Sequence, residues 1–330
     1  MNVLLTGPFG KIGYRVIEAL LERGHRVTCF DLDGPANRKT ARVFSGPAFQ
    51  DRVRIVWGNI TDKAQVAAAV ADQDAVIHNA AIIPPGTDRN LALSEAVNVG
   101  GTENIIAAIQ QSPRQPLLVF PSSVSVHGNH RAGSPFPLMV ESPLKAEDNY
   151  ARHKIRCEEL IRASGLRFVI CRIGACMEGR NSMGTEDAKA LMPLMFAIHP
   201  KVRVEYVHPK DVATAFANAL DNPAAAGKTF FLGGGKSCQA YWGEFNSIFL
   251  QAIGCGSLPD EAFGTEGYYT DWMDTEDSQR ILQFQHHSLQ DYYQETAQKV
   301  KWVRPLLTLA SPLIRRYLLS HSPAYQARKH

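Results

Sequence analysis

At 330 residues the chain can bury a sizeable core as one large domain or as two lobes. Its net charge is only +3, with Lys and Arg scattered, so the basic footprint of a nucleic-acid binder is missing and no nucleic-acid partner is expected. Six cysteines form no C-x-x-C pair and no Cys/His cluster at metal spacing, which favours reduced thiols in the cytoplasm over a zinc site or disulfide framework. The start of the chain has no basic segment followed by a long apolar one, so secretion is not expected.

In chain order, short apolar runs alternate with segments of helical periodicity. "NVLLTG", "RVTCFD", "VRIVWG", "AVIHNA", "PLLVFPSS" and "LRFVICRI" are apolar nearly throughout, as strands buried on both faces of a parallel sheet must be. "GYRVIEALLERG", "KAQVAAAVADQ", "EAVNVGGTENIIAAIQQ" and "YARHKIRCEELIRASG" repeat apolar residues at helical spacing between them. The alternation predicts an α/β fold, a Rossmann-type doubly wound parallel sheet. After Arg172 the rhythm loosens: "VRVEYVHPKDVATAFANALDNP" reads as a further strand and helix, and "KTFFLGG" as a strand. Residues 1–173, rejoined by 202–233, are therefore expected to form the core, and 174–201 with 236–330 a smaller, mostly helical C-terminal substrate lobe. Near the end, "WVRPLLTLASPLIRRYLLS" is apolar but broken by Arg304, Pro305, Pro312, Arg315 and Arg316 well short of a spanning helix; it is read as helical pieces packed on the protein or a partner, with association with a membrane surface as the lesser alternative.

The first strand runs into Thr6-Gly7-Pro8-Phe9-Gly10-Lys11-Ile12-Gly13. There Gly7 can make a tight turn, Gly10 can admit a pyrophosphate and Gly13 can pack helix on strand, with Phe9, Lys11 and Ile12 completing a dinucleotide-binding turn. The helix N-terminus would face the phosphates. Asp31, eighteen residues after Gly13 at the end of the second strand, is placed to accept from adenine-ribose hydroxyls. A carboxylate there repels a 2′-phosphate and favours NAD, while Arg38 and Lys39 leave NADP as the lesser alternative. Tyr150 and Lys154 are four residues apart in a helical pattern and share a face, so the ammonium can favour the ionised phenol.

With G-x-x-G-x-x-G as its opening turn, the chain resembles the extended short-chain dehydrogenases/reductases, which include nucleotide-sugar epimerases and dehydratases and hydroxysteroid-dehydrogenase-like enzymes. The likeness extends over nearly the whole chain and is strongest in residues 1–175. It implies adenine contact from Gly58-Asn59-Ile60, a strand-four motif at His78-Asn79-Ala80-Ala81, a helix asparagine at Asn98 and a serine strand in "PSSVSVHG". "YARHK" matches the catalytic tyrosine–lysine pair, and "VHPKDVA" a late signature of the family. The likeness further implies a Ser123–Tyr150–Lys154 triad, with Ser122 as the competing serine and Ser125 as a substrate contact. Tyr150 would take the hydroxyl proton as hydride leaves for the nicotinamide, Ser123 would hold the oxygen, and Lys154 would lower the phenol pKa and grip the nicotinamide ribose. A small-molecule secondary alcohol or ketone is the implied substrate, and a homodimer through the helices carrying Asn98 and Tyr150 the implied assembly. The chain departs from the family at His127, where a tyrosine is frequent, at Asn59, where an acid is common, and at Ala175, near the place of an asparagine that contacts substrate phosphate in nucleotide-sugar enzymes. That last departure, with the apolar "AAIIPPGTD", favours net oxidation or reduction of a less polar substrate. The alternatives are an epimerase or dehydratase that recycles bound NAD, or a non-catalytic NAD sensor.

Overall fold

The computed structural model describes residues 1–177 and 192–328. Strands β1 (Asn2–Thr6), β2 (Arg26–Asp31), β3 (Val53–Trp57), β4 (Ala75–His78), β5 (Leu117–Ser123) and β6 (Phe168–Ile173) coincide with the six apolar runs. Two residues, Ala175–Cys176, form β7, followed by β8 (Arg203–Val207), β9 (Lys228–Leu232) and β10 (Gln239–Tyr241). The large sheet has the order β3-β2-β1-β4-β5-β6-β9, and all its pairings are parallel. Its inner strands are buried almost residue by residue, because helices cover both faces and leave no polar side for alternation to mark. Helices Lys11–Glu22 and Pro209–Asp221 pack on one face around Val16, Leu20 and Phe216. Helices Lys63–Val70, Gly101–Gln111 and Asn149–Ala163 cover the other, around Val66, Ile105 and Ile161.

The strand order reverses between β1 and β4, whose last residues, Thr6 and His78, are partners in the ladder. Connections leave the sheet in opposite directions there and open a crevice at the carboxyl ends. A small sheet, β10-β8-β7, has β8 antiparallel to β10 and parallel to β7, and packs with helices Trp242–Ala252 and Leu289–Lys299 around Tyr206, Phe245 and Tyr292. Strands of two and three residues have no periodicity to read, so the mostly helical expectation for this region did not include β7 and β10, and β8, read with 202–233 as part of the core, pairs with them instead of joining the large sheet, which only β9 of that stretch does. Part of the expected substrate lobe, 178–191, lies outside the described residues.

"VHPKDVA" serves here as a fastening. His208 caps helix Pro209–Asp221 by accepting from the Lys210 amide, and Asp211, fully buried, accepts from the amides of His286 and His287 and from the His287 ring at 2.6 Å. The helix that closes the large sheet thus holds the C-terminal segment.

Candidate functional site

A cleft of about 570 Å³ lies at the switch point. Gly7 leaves β1 with φ +63°, the left-handed conformation that suits glycine, and a Cβ there would meet the Ala80 backbone at 2.9 Å. A Cβ on Gly13 would meet the Pro8 backbone at 2.8 Å, so only glycine lets the helix approach the turn. Gly10 differs: its Cβ position has only the Gly7 carbonyl, at 3.6 Å, within reach. Gly10 lies on the cleft wall with Lys11 and Ile12, and it is the N-cap of helix Lys11–Glu22 with no side chain capping that end. Asp31 is on the same wall, its carboxylate accepting from the amides of Leu32 (2.8 Å) and Phe9 (3.4 Å), and burial holds its pKa above the ordinary carboxylate value. Turn, helix N-terminus and acid fit a dinucleotide: amides for phosphate, carboxylate for ribose. Arg38, the residue that kept NADP in view, is ion-paired to Asp33, with Nη2 2.6 Å from Oδ2.

Asn59 and Ile60, the residues expected to contact adenine, line the cleft; Asn59 Oδ1 accepts from the Thr61 amide at 3.0 Å and its own amide donates to Gln65. Asn79, Ala80 and Ala81 line the middle. Asn79 Nδ2 donates to the Gly7 carbonyl, and the Ala80 amide to Thr6 Oγ1, which tie the end of β4 to the glycine turn. Behind them His78, buried and hydrogen-bonded to Thr6, is held neutral with its pKa lowered to about 3 by burial and then by the Lys154 charge.

Tyr150 and Lys154 stand on the first two turns of helix Asn149–Ala163, which Asp148 caps by accepting from the Ala151 amide, and both line the cleft. Lys154 Nζ donates to the Pro121 carbonyl at 2.6 Å and lies 5.7 Å from the Tyr150 ring centroid. Burial lowers the amine to about 8. The expected easing of the phenol by Lys154 is not what dominates: burial, then the negative Asp148, push the Tyr150 pKa well above its ordinary value. The chain itself favours the protonated phenol because it buries the oxygen more strongly than it pairs it.

Five of the expected residues stand off the cleft wall. Phe9 is buried against Trp57, and Gly13 within the helix–strand contact. Asn98 is buried in a π-helical turn, Ala96–Gly100, where Oδ1 accepts from the Ile82 amide at 2.8 Å and Nδ2 donates to the Ile82 carbonyl at 2.9 Å, fixing the wall from behind. Ser123 and Ser125 bond each other at 2.9 Å. Strand alternation separates the two candidate serines: Ser122 donates at 2.6 Å to Glu158, while the Ser123 hydroxyl lies on the other face of β5.

Glu158 went unnoticed in the sequence, although 150, 154 and 158 step along one helix face. It is fully buried and accepts from Ser122, from Arg172 (2.7 and 3.0 Å) and from Arg162 (2.8 Å). Burial pushes its carboxyl up, but the Arg172 and Ser122 bonds outweigh that and leave it below the ordinary value. Arg172 also meets His127 Nε2 at 3.0 Å. A guanidinium only donates, so Nε2 accepts and Nδ1–H donates to the Pro143 carbonyl. Burial, then Arg172, bring the His127 pKa to about 4. The family's frequent tyrosine is thus replaced by a neutral histidine that stitches β6 to the loop after β5.

Residues 3–233 match the family described as NAD dependent epimerase/dehydratase. The chain belongs to this family. Among curated proteins similar to it, 3 beta-hydroxysteroid dehydrogenase type 7 of Mus musculus is 33% identical over 76% of this chain and 73% of its own. The 3 beta-hydroxysteroid dehydrogenase/Delta 5-->4-isomerase of Mycobacterium tuberculosis is 29% identical over 77% and 70%. Of solved structures, UDP-glucose-4-epimerase of Stenotrophomonas maltophila, with bound NAD and formylated UDP-arabinopyranose, has a TM-score of 0.73 at 23% identity, covering 93% of this chain and 98% of that one; it shares the fold. The lining of the cleft here also includes the apolar side chains Ile82, Ile83, Leu93 and Val97.

Proposed function

We propose that this family member is an NAD-dependent oxidoreductase that interconverts a secondary alcohol and a ketone on an apolar, hydroxysteroid-like substrate. One observation carries the reading: the Tyr150–Lys154 pair and the glycine turn with Asp31 open onto one cleft. Support for the substrate class comes from those apolar side chains of the cleft lining, from Ala175 where a phosphate-binding asparagine would be expected, and from the hydroxysteroid relatives.

Bound NAD would supply the hydride-accepting nicotinamide. Gly7, Gly10 and the amides that open helix Lys11–Glu22 would hold its pyrophosphate, and Asp31 its adenine ribose. Tyr150 Oη would carry the transferred proton. Because burial keeps that phenol protonated, the chain is poised to donate a proton to a ketone oxygen; accepting one from an alcohol requires the Lys154 charge, which is largely retained at neutral pH with a pKa of about 8. Ser122 lines the cleft but its hydroxyl is committed to Glu158, so the role of holding the substrate oxygen falls to Ser123, which stands off the wall beside Ser125 and would have to turn its hydroxyl toward the substrate at the end of β5. Pairing of two copies through the helical segments that carry Asn98 and Tyr150 completes the reading.

The test is a panel of hydroxysteroids, ketosteroids and nucleotide sugars followed by NADH absorbance. Stoichiometric NADH formation from a hydroxysteroid is expected. Turnover of a nucleotide sugar with cofactor retained through dialysis and no NADH release would replace the reading with an epimerase. Tyr150→Phe should lower turnover by about 10²–10⁴-fold while NAD binding persists; undiminished turnover would remove Tyr150 from the chemistry. Sedimentation tests the pairing, which a monomer at all concentrations would exclude.

A further inference from the structure

Helix Arg304–Ser320 meets the body along one side only. Leu307, Ile314 and Leu318 pack into the cluster around Phe196, Leu250 and Phe263, Ser311 Oγ donates to the Cys255 carbonyl at 3.1 Å, and Arg304 Nε to the Ala252 carbonyl at 3.0 Å. The other side carries a second apolar stripe. Trp302 (85% exposed), Leu306 (68%), Leu309 (83%), Leu313 (72%) and Tyr317 (50%) follow one another at three- and four-residue steps and face solvent together. Isolated exposed apolar residues are ordinary; five aligned over four turns form a continuous patch of the kind that marks an interaction surface.

Charge selects the partner. After Glu295 the chain contains seven Lys or Arg and no Asp or Glu, whereas the whole chain carries only +3, so the preceding 295 residues are net −4. Among the described residues, Lys301, Arg315, Arg316 and Arg328 pair with no carboxylate. Two such stripes facing each other would bring like charges together, which disfavours a second copy. No described helix is long and apolar enough to cross a membrane. An aromatic residue and leucines on one side, flanking cations and insufficient length to span are the features of a helix lying in the plane of a bilayer surface. We propose that helix Arg304–Ser320, with Trp302 ahead of it, docks the protein onto anionic lipid headgroups. The expectation that this segment packs on the protein is met on its inner side, and the bilayer covers the outer. Since the body already holds the helix folded, docking does not require coil to become helix, unlike a free amphipathic peptide.

Cosedimentation of the full-length protein with sucrose-loaded vesicles tests this, using phosphatidylcholine alone and an equal mixture with phosphatidylglycerol. Binding to the mixed vesicles is expected to weaken as salt is raised, and to be about tenfold or more weaker on phosphatidylcholine alone. The Leu309→Gln/Leu313→Gln variant should lose about tenfold or more of the binding. Its circular dichroism and thermal unfolding should match the parent, because both positions are exposed. Trp302 emission should shift to the blue on mixed vesicles, a shift absent from Trp302→Phe. Wild-type protein that stays in the supernatant with both vesicle types, or a double variant that binds as well as the parent, would overturn the proposal. A loss of self-association caused by the double substitution would also overturn it, by assigning the stripe to a second copy.

Discussion

Two glycines of the opening turn do different physical jobs, although the spacing presents them alike. Gly13 is closed in by the backbone of Gly7 and Pro8, so Gly13→Ala must push turn and helix apart, at about 1–3 kcal/mol of stability by the usual cost of overpacking. Gly10 has open space toward the cleft and an ordinary negative φ of −74°, so Gly10→Ala should leave thermal unfolding unchanged and weaken NAD binding by about tenfold or more, or about 1.4 kcal/mol, by placing a methyl where the pyrophosphate must approach. Calorimetry of unfolding and of NAD titration for both variants checks the division; equal NAD loss without destabilisation in both would deny it. His127 gives a pH signature at the same scale. Its pKa falls from 6.5 to about 4 on folding, so in the unfolded chain it takes up a proton that the folded chain refuses. Stability is therefore intact above 6.5 and is lost as pH falls toward about 4, by about 3 kcal/mol from this residue. His127→Gln, whose amide can still accept from Arg172 and donate to Pro143, should flatten that part of the urea-unfolding pH profile. An unchanged slope would show that the histidine already charges in the fold.

Among the elements, helix Asn149–Ala163 carries the proposed Tyr150–Lys154 pair and is tied to the sheet by Glu158. Glu158→Gln leaves Arg172, 3% exposed, with a buried charge and only neutral partners, His127 Nε2 and the Val140 carbonyl among them, and breaking a buried pair in this way costs about 3–5 kcal/mol. The midpoint of urea unfolding should fall accordingly, whereas Arg162→Gln, at the partly exposed end of the same carboxylate, should cost far less. Equal losses would mean the network is not organised around Arg172. This element also marks how far sequence carries. Tyr150 and Lys154 were legible because helical spacing alone puts them on one face, and β1 to β6 because burial on both sides writes itself as unbroken apolar runs. The partners that decide protonation were not legible: Pro121 O, which takes the Lys154 proton donor, is a backbone atom thirty-three residues away. That burial raises the Tyr150 phenol depends on packing density, which no spacing records. Asn98 matched a motif, but its grip on Ile82 depends on a π-helical turn that inserts an extra residue without a compositional mark.

At the scale of the whole molecule, a strap holds the C-terminal region to the cofactor-binding sheet. Asp211 bonds His286 and His287, and His208, stacked 4.1 Å from His287, reaches Glu295 on helix Leu289–Lys299. The Asp211 hydrogen bond raises the His287 pKa above 6.5. A histidine whose folded value is raised contributes stability that is complete below 6.5 and is lost as pH climbs through the folded value, opposite in sign to His127. The two histidines therefore act on different regions: acid weakens the join between β6 and the loop after β5, and alkali weakens the strap. Local opening need not be global unfolding, so the alkaline loss should appear first as protease access near residues 284–299 while the seven-stranded sheet stays folded. Asp211→Asn removes the charge that holds His287 and should make cleavage there rapid at every pH, with far-UV circular dichroism preserved and the alkaline rise abolished. Cleavage that begins in the large sheet, or a pH dependence that survives the substitution, would show that the C-terminal region is held by its apolar contacts around Tyr206 and Tyr292 and not by the buried acid.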